Sequence, residues 1–287
     1  MTTNKLQPDS TITLNSGEKR RVALTPAQIP QLGFGVYQSP PEVTSKTVQS
    51  ALDAGYRHID SAQWYFNEEQ VGSTIQSSKY PRDQVFITTK LGHADRIKEL
   101  LNESVKKIDP RDGGYVDLFL IHSPSAGPEK RKGQWKALED LVKAGKAKNI
   151  GVSNYGVKHL EQMEEYANIP PTVNQIELHP WCQQPSIVSY CQSHNIALEA
   201  YSPLVQGKKA SDPTLLKIAE ETGKSWAQVL IRWSLQRGFI PLPKSDTKER
   251  IIANRDVFDF ELSDAQMESL NGLDKDEHVC LNHTELP

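Results

Sequence analysis

An acid and a phenol stand close together on the stretch Arg57-His58-Ile59-Asp60-Ser61-Ala62-Gln63-Trp64-Tyr65, as Asp60 and Tyr65. The stretch opens as a strand around β-branched Ile59. It then runs into Asn67-Glu68-Glu69, which reads as a helix start with Asn67 as N-cap and two acids in the positive first turn. A short loop from a strand end to a helix is where barrels and open α/β sheets keep their chemistry. Lys90 and His122 close two later strand patterns in the same way. A phenol is a poor acid at neutral pH, and a neighbouring cation favours its phenolate form. Lys90 can be that cation, Asp60 can hold Lys90 in an ion pair, and His122 can donate to a carbonyl oxygen and orient it. The set suits general acid–base chemistry on a carbonyl group. Taken one at a time, Asp60 could cap, Tyr65 pack, Lys90 snorkel and His122 satisfy a loop. Their joint occurrence on strand ends favours the chemical reading.

The elements that must position these groups alternate through most of the chain. Strand patterns fall at 33–37, 56–62, 85–91, 116–122, 149–154, 172–178, 196–201 and 239–244, and the 116–122 run is nearly all apolar, as in a parallel strand covered on both faces. Helical patterns fall between them at 43–54, 69–77, 96–107, 134–144, 157–166, 185–194, 213–222 and 225–236, with Gly55 ending the first. The rhythm predicts a (β/α)8 TIM barrel, one domain over 1–287, with no linker, low-complexity segment or internal repeat. Residues 11–17 read as the first arm of an N-terminal β-hairpin at the barrel bottom, its return arm interrupted by the polar insertion Lys19 to Gln28. A doubly wound sheet is the weaker alternative, since no Gly-x-Gly-x-x-Gly turn follows a strand and opens a helix.

Composition narrows the partners. A chain of 287 residues with 37% hydrophobic and 24% charged residues can bury a sizeable core. Net charge is −3, which argues against a nucleic-acid or anionic-membrane surface. The basic runs Lys19-Arg20-Arg21 and Lys130-Arg131-Lys132 read as solvated loops. Three cysteines, Cys182, Cys191 and Cys280, have no metal-binding spacing and are odd in number, so we expect neither a metal nor a disulfide framework. With no leader and no bilayer-length apolar run, a cytoplasmic protein is expected, monomeric or alternatively dimeric.

Ordered motifs then carry a resemblance. They are Leu32-Gly33-Phe34-Gly35-Val36-Tyr37, Asp53-Ala54-Gly55-Tyr56-Arg57-His58-Ile59-Asp60, Leu118-Phe119-Leu120-Ile121-His122 and Gly145-Lys146-Ala147-Lys148-Asn149-Ile150-Gly151-Val152-Ser153-Asn154. Val173-Asn174-Gln175-Ile176-Glu177-Leu178-His179-Pro180, Ala200-Tyr201-Ser202-Pro203-Leu204 and Pro243-Lys244-Ser245 continue the series. Across nearly its whole length the chain resembles the aldo-keto reductase family. The resemblance implies a (β/α)8 reductase that moves hydride from NADPH to a carbonyl, leaving NADP+ and an alcohol. It places the catalytic tetrad on Asp60, Tyr65, Lys90 and His122, with Tyr65 as acid in reduction and base in oxidation. It also implies that Ser153, Asn154 and Gln175 hold the cofactor's carboxamide and that Tyr201 stacks on its ring. The loop Ser202 to Gln206, with Leu204 in it, would straddle the pyrophosphate. Lys244, Ser245 and Arg250 would grip the 2′-phosphate and Asn254 the adenine.

Several positions depart from the family pattern. Asp246 follows Ser245 where a neutral residue is common, and this charge would erode a preference for NADPH. Ala253 replaces an acid, and Phe66 replaces a glycine. Ser123 stands where many relatives carry a tryptophan, which would leave room for polar small-molecule carbonyls such as α-keto or α-hydroxy compounds. Tyr37, Trp64, Ser123 and Trp181 are the expected substrate-facing residues, with Phe66 nearby, and the tail after Leu273 should form only a brief closing loop. Two rival classes stand beside this one. A metal-dependent hydrolase built on Asp60, His122, Glu177 and His179 would bring Lys90 against its cation, and Glu177 and His179 fit a structural role better. A non-catalytic NADPH-binding barrel acting as a sensor or regulatory subunit is disfavoured by the intact tetrad.

Overall fold

The computed structural model describes residues 5–15, 27–93 and 95–287, so the 19–28 insertion, apart from Ala27 and Gln28, lies outside the described residues. Eight parallel strands follow one another in sequence order: β3 (Phe34–Gly35), β4 (His58–Asp60), β5 (Phe86–Leu91), β6 (Val116–Ile121), β7 (Ala147–Ser153), β8 (Val173–Glu177), β9 (Ala197–Tyr201) and β10 (Ile240–Pro241). The Gly33 and Gly35 amides donate to the Pro241 and Pro243 carbonyls, both at 3.1 Å, and so join the last strand to the first. The barrel expected from the βα rhythm therefore forms. A hairpin of β1 (Thr11–Thr13) and β2 (Gln28–Pro30) precedes it, paired antiparallel with Ile12 opposite Ile29.

Side-chain alternation explains why one end of the barrel is greasy and the other chemical. Residues two apart on a strand share a face. Phe86, Thr88 and Lys90 form such a row on β5, Leu118, Leu120 and then His122 on β6, and His58 with Asp60 on β4. Val173, Gln175 and Glu177 on β8 and Ala197, Glu199 and Tyr201 on β9 repeat it. Phe86, Leu118, Leu120, Val173 and Ile240, most of them at or near strand starts, pack with Leu14 and Ile29 of the hairpin into a buried plug. Apart from His58, which starts β4 level with Phe86, the polar members of each row lie toward the carboxyl ends. A second, larger core surrounds the barrel where helices cover the strands, and Trp135, Trp233, Phe119 and Tyr155 are fully buried in it.

The helices are α1 (Pro41–Asp53), α2 (Glu68–Ser77), α3 (Ile97–Ile108), α4 (Pro128–Lys143), α5 (Val157–Glu164), α6 (Pro185–Ser193), α7 (Pro213–Thr222), α8 (Trp226–Gln236), α9 (Lys248–Arg255) and α10 (Asp264–Asn271). Thr44, Val48, Ala51 and Leu52 give α1 its buried face, and Gly55 ends the segment at φ +99°, a conformation costly for any other residue. Three sequence expectations change. The basic run Lys130-Arg131-Lys132 is not a solvated loop: it lies in the first turns of α4, which starts at Pro128 rather than 134. Arg131 is only 2% exposed, its guanidinium donating to Pro124 O, Pro287 O and Gln162 Oε1. Asn67 precedes α2 but makes no capping bond. Its side chain instead accepts from Ser61 Oγ and donates to Val36 O and Ser39 O, tying the first two strand-end loops together.

Candidate active site

Asp60, Lys90 and Tyr65 meet at the carboxyl ends of β4 and β5. Lys90 Nζ donates to Asp60 Oδ1 at 2.6 Å, to Ser61 O at 2.9 Å and to the Tyr65 hydroxyl at 3.3 Å. All three ammonium protons thus have acceptors, which a wholly buried lysine requires. Burial works against the Lys90 charge, yet Asp60 and Tyr65 more than offset it and hold the ammonium above its ordinary pKa. Removing one member of such a buried pair costs roughly 3–5 kcal/mol, because the other is left uncompensated.

Tyr65 ends a single 3₁₀ turn, Gln63–Tyr65, and Phe66 follows it at φ +56°. The Gln63 side chain fixes this turn by accepting from Gly92 N and donating to Leu100 O and Ser104 Oγ. Gly92 also lets the Trp64 indole approach, since a Cβ there would fall 2.4 Å from Trp64 Nε1. Burial raises the Tyr65 hydroxyl to about 12, with Lys90 pulling down and Asp60 pushing up. The simple expectation that Lys90 would depress this pKa is reversed in net by desolvation. The phenol is therefore fully protonated at neutral pH.

His122 closes β6, its ring 5.6 Å from the Tyr65 ring and edge-on to it, and 4.6 Å from the Trp64 indole. Burial first, then the Lys90 and His283 charges, hold it well below the ordinary histidine range, so the ring is neutral. Its Nδ1 has no partner among the described residues. Asn154, at φ +63°, donates to the His122 carbonyl at 3.0 Å and to Ser153 Oγ, and accepts from the Tyr201 hydroxyl at 2.8 Å. Gln175 reaches across the barrel, its Nε2 donating to Asp60 Oδ2 at 2.8 Å and to Glu199 Oε2 at 2.6 Å. Glu199 is an inner acid beneath the tetrad, raised to about 8 by burial and by Asp60, and it neighbours His58 Nε2 at 3.4 Å.

A cavity of about 760 Å³ opens above these groups. Fourteen of the expected residues border it: Tyr37, Asp60, Trp64, Tyr65, His122, Ser123, Ser153, Asn154, Gln175, Tyr201, Ser202, Leu204, Gln206 and Lys244. Five do not. Lys90 sits behind Asp60 and Tyr65, and Ser245 and Asn254 are buried. Arg250 is exposed on α9, and Trp181 is 1% exposed and faces the protein, not the cavity. The sequence reading expected the tail after Leu273 to close the pocket only briefly and named none of its residues, yet the tail brings Val279, Cys280, Leu281 and His283 to the cavity wall. Glu177 secures it by accepting from Val279 N at 2.7 Å and Cys280 N at 3.2 Å, while His179 pairs with the same carboxylate at 2.9 Å. Farther on, Leu286 O meets His159 Nε2 at 2.6 Å, and Thr284 lies so close to Gly156 that a Cβ would sit 2.2 Å from its carbonyl oxygen. Ser123 Oγ accepts from Ser125 N at 3.2 Å and lies 3.3 Å from His283 Nδ1, so it both caps its turn and meets the tail.

A protonated phenol beside a buried lysine, a neutral imidazole and a deep cleft at the carboxyl face of a barrel suit proton transfer to a carbonyl oxygen, which is oxidoreductase chemistry. Comparison with known proteins narrows the class. The profile of the Aldo/keto reductase family matches residues 31–275. Glyoxal reductase of Bacillus subtilis is 44% identical over 262 residues, covering 90% of this chain and 94% of that one. The crystal structure of an aldo-keto reductase enzyme from a Medee basin deep-sea metagenome library superposes with a TM-score of 0.88 at 38% identity, covering 97% of this chain and 100% of that one. A Bombyx mori aldo-keto reductase in complex with NADP gives 0.82 at 34% identity, covering 94% of each chain. This chain belongs to the aldo/keto reductase family.

Proposed function

We propose that the protein is an NADPH-dependent reductase of small aldehydes and ketones, with Tyr65 as the proton donor. The observation that carries this is the Tyr65 hydroxyl, protonated, 3.3 Å from Lys90 Nζ and at the edge of the cleft. The cleft suits a dinucleotide. Tyr201 offers a ring beside the amide-bearing Asn154 and Gln175, Gln175 Oε1 makes no hydrogen bond among the described residues, and the 202–206 loop turns through left-handed φ at Ser202, Val205 and Gln206. When bound, NADPH would supply the hydride. The chain supplies the rest. Neutral His122 donates an N–H to the substrate oxygen and fixes its direction, while Trp64 packs on the imidazole. The Tyr65 hydroxyl releases its proton to the oxygen as negative charge develops there, and Lys90 Nζ stabilises the phenolate left behind. Asp60 and Gln175 keep Lys90 charged and in place. In the reverse direction the same phenolate takes the proton back.

For the substrate we propose carbonyls with a second oxygen next to the reacting carbon, such as α-dicarbonyls and α-hydroxy aldehydes. Ser123 and His283 form a polar pair on the wall beside His122, and the similar Bacillus subtilis protein is named a glyoxal reductase. Among the described residues no helix is long and apolar enough to cross a membrane. With all three cysteines free, we propose a cytoplasmic enzyme, monomeric or alternatively dimeric. The deciding experiment follows NADPH absorbance over a panel of glyoxal, methylglyoxal, glyceraldehyde and benzaldehyde. The reading predicts the highest kcat/KM on the dicarbonyls. Cofactor binding with no turnover on any carbonyl would instead support a sensor.

A further inference from the structure

Beneath the cleft, an acid that the proposed proton transfer does not use stands level with an amide at the cleft floor. Glu199 on β9 and Gln175 on β8 are register partners in the parallel ladder. Glu199 is fully buried and Gln175 nearly so. Gln175 Nε2 donates to Glu199 Oε2 at 2.6 Å and to Asp60 Oδ2 at 2.8 Å. Asp60 Oδ1 meanwhile accepts from Lys90 Nζ at 2.6 Å, so one carboxylate holds both the lysine behind Tyr65 and the amide across the barrel.

These contacts decide which way the amide faces. A glutamine side chain donates two hydrogens from its nitrogen and only accepts at its oxygen. Both atoms that meet Gln175 Nε2 belong to carboxyl groups, so the reversed amide would set its oxygen against two acceptors. Nε2 spends both of its hydrogens there. Oε1 is left with no partner among the described residues, on a side chain that borders the cleft. Asp60 alone would leave the second N–H buried and unpaired, which is a costly state. The clamp needs no second buried anion. Burial, and after it Asp60, raises Glu199 to about 8, so the acid is neutral at neutral pH. A protonated carboxyl keeps one oxygen free to accept, here Oε2, and its proton falls to Oε1, 3.4 Å from His58 Nε2.

Resting on the NADPH reading above, we propose that Glu199 is a positioning residue. With Asp60 it clamps the Gln175 amide so that Oε1 stays turned to the cleft, as the acceptor for the carboxamide N–H of the nicotinamide. Glu199 touches neither substrate nor cofactor and acts only through Gln175. Because Asp60 also holds Lys90, the amide that receives the cofactor and the cation that stabilises the phenolate share one anchor.

The test titrates the full chain with NADP+ and with its 3-acetylpyridine analogue, read by quenching of tryptophan fluorescence. In the analogue a methyl ketone replaces the carboxamide and its N–H donors. The unmodified chain should bind NADP+ about 3–10-fold more tightly than the analogue, the usual worth of one hydrogen bond. Glu199→Met removes the acceptor at similar volume, and Glu199→Ala removes it with room for water. Each should weaken NADP+ by about 3–10-fold and the analogue by less than about twofold, so the preference disappears. Glu199→Gln presents an acceptor and a donor as the neutral acid does, and should keep the preference. Thermal melts check that each variant is folded. No NADP+ binding by the unmodified chain would overturn the cofactor reading and the clamp with it. Binding without a preference for NADP+, a preference that survives in Glu199→Met and Glu199→Ala, or equal weakening of both ligands would overturn the clamp alone. So would failure of both variants to fold, since Glu199 would then serve the fold.

Discussion

Asp246 offers a sharp test of the proposed phosphate end of the cleft. Lys244 Nζ donates to Asp246 Oδ2 at 2.5 Å, and Asp246 also accepts from Ser39 Oγ at 2.6 Å and Thr47 Oγ1 at 3.3 Å. Partial burial alone would raise the Asp246 pKa, but the hydrogen bonds from Lys244 and Ser39 and the Lys244 charge hold it below its ordinary value. It is therefore a fixed anion that occupies Lys244, the cation proposed to meet a 2′-phosphate. Asp246→Asn keeps an acceptor for Ser39 and Thr47 and removes the charge. Two charges about 4 Å apart interact by about 1 kcal/mol in water and about 4 kcal/mol at an effective dielectric of 20. The Lys244 and Asp246 side chains are 30% and 33% exposed, so solvent screening keeps the gain near the low end. A gain of roughly 1–2 kcal/mol means NADPH bound about 5–30-fold more tightly, with NADH nearly unchanged. Fluorescence titration of both cofactors at low and high salt reads this, and the gain should shrink with salt. Equal tightening of NADPH and NADH, or none for either, would show that the phosphate does not sit by Lys244.

Arg250→Ala should loosen NADPH by about one to two decades and leave NADH unchanged, as expected for one lost charged contact; isothermal titration of both cofactors checks it. Ser123→Ala should lower kcat/KM for dicarbonyls by roughly 1–3 kcal/mol relative to benzaldehyde, and Ser123→Trp by at least as much. An unchanged ranking would mean that Ser123 serves only Ser125 and His283. Buried His58 is depressed to about 3, by burial first and then by Lys90. Between pH 6.5 and that value the unfolded chain binds a proton the folded chain refuses, so stability must fall as pH drops through the window. From pH 7 to pH 5 this residue alone costs on the order of 2 kcal/mol, while Glu199, raised to about 8, acts in the opposite direction. The measurement is therefore the difference in pH dependence of urea unfolding between the unmodified chain and His58→Gln. Equal pH dependence in the two would contradict the assignment of a neutral His58.

The barrel was legible because its periodicity is local. Each strand carries its own alternating row and each helix its own face, so eight strands could be counted without knowing what they touch. The shortest, β3 and β10, were overdrawn, since Gly33 to Tyr37 and Phe239 to Lys244 keep the pattern beyond the paired residues. The tetrad was legible because its members end consecutive strands. Contacts between distant segments were not. Arg131 read as a surface charge because its acceptors lie at Pro124, Gln162 and Pro287. His283 and Cys280 belong to a tail with no periodic signal. Trp181 looked like a pocket wall, yet its backbone carbonyl anchors that tail while its ring is buried. Glu199 gave no local sign of lying beneath Asp60, which depends on Gln175 bridging both.

The account stands or falls on Tyr65. Tyr65→Phe removes one oxygen and leaves the ring beside Tyr37 and His122, so the cofactor site should survive. Steady-state turnover and NADPH titration on the same protein give the answer together. We predict a kcat on the best dicarbonyl reduced by at least about 10²–10⁴-fold, the usual worth of general acid catalysis, with NADPH affinity unchanged. Near-normal turnover in Tyr65→Phe would contradict the account, because the proton would then come from another group.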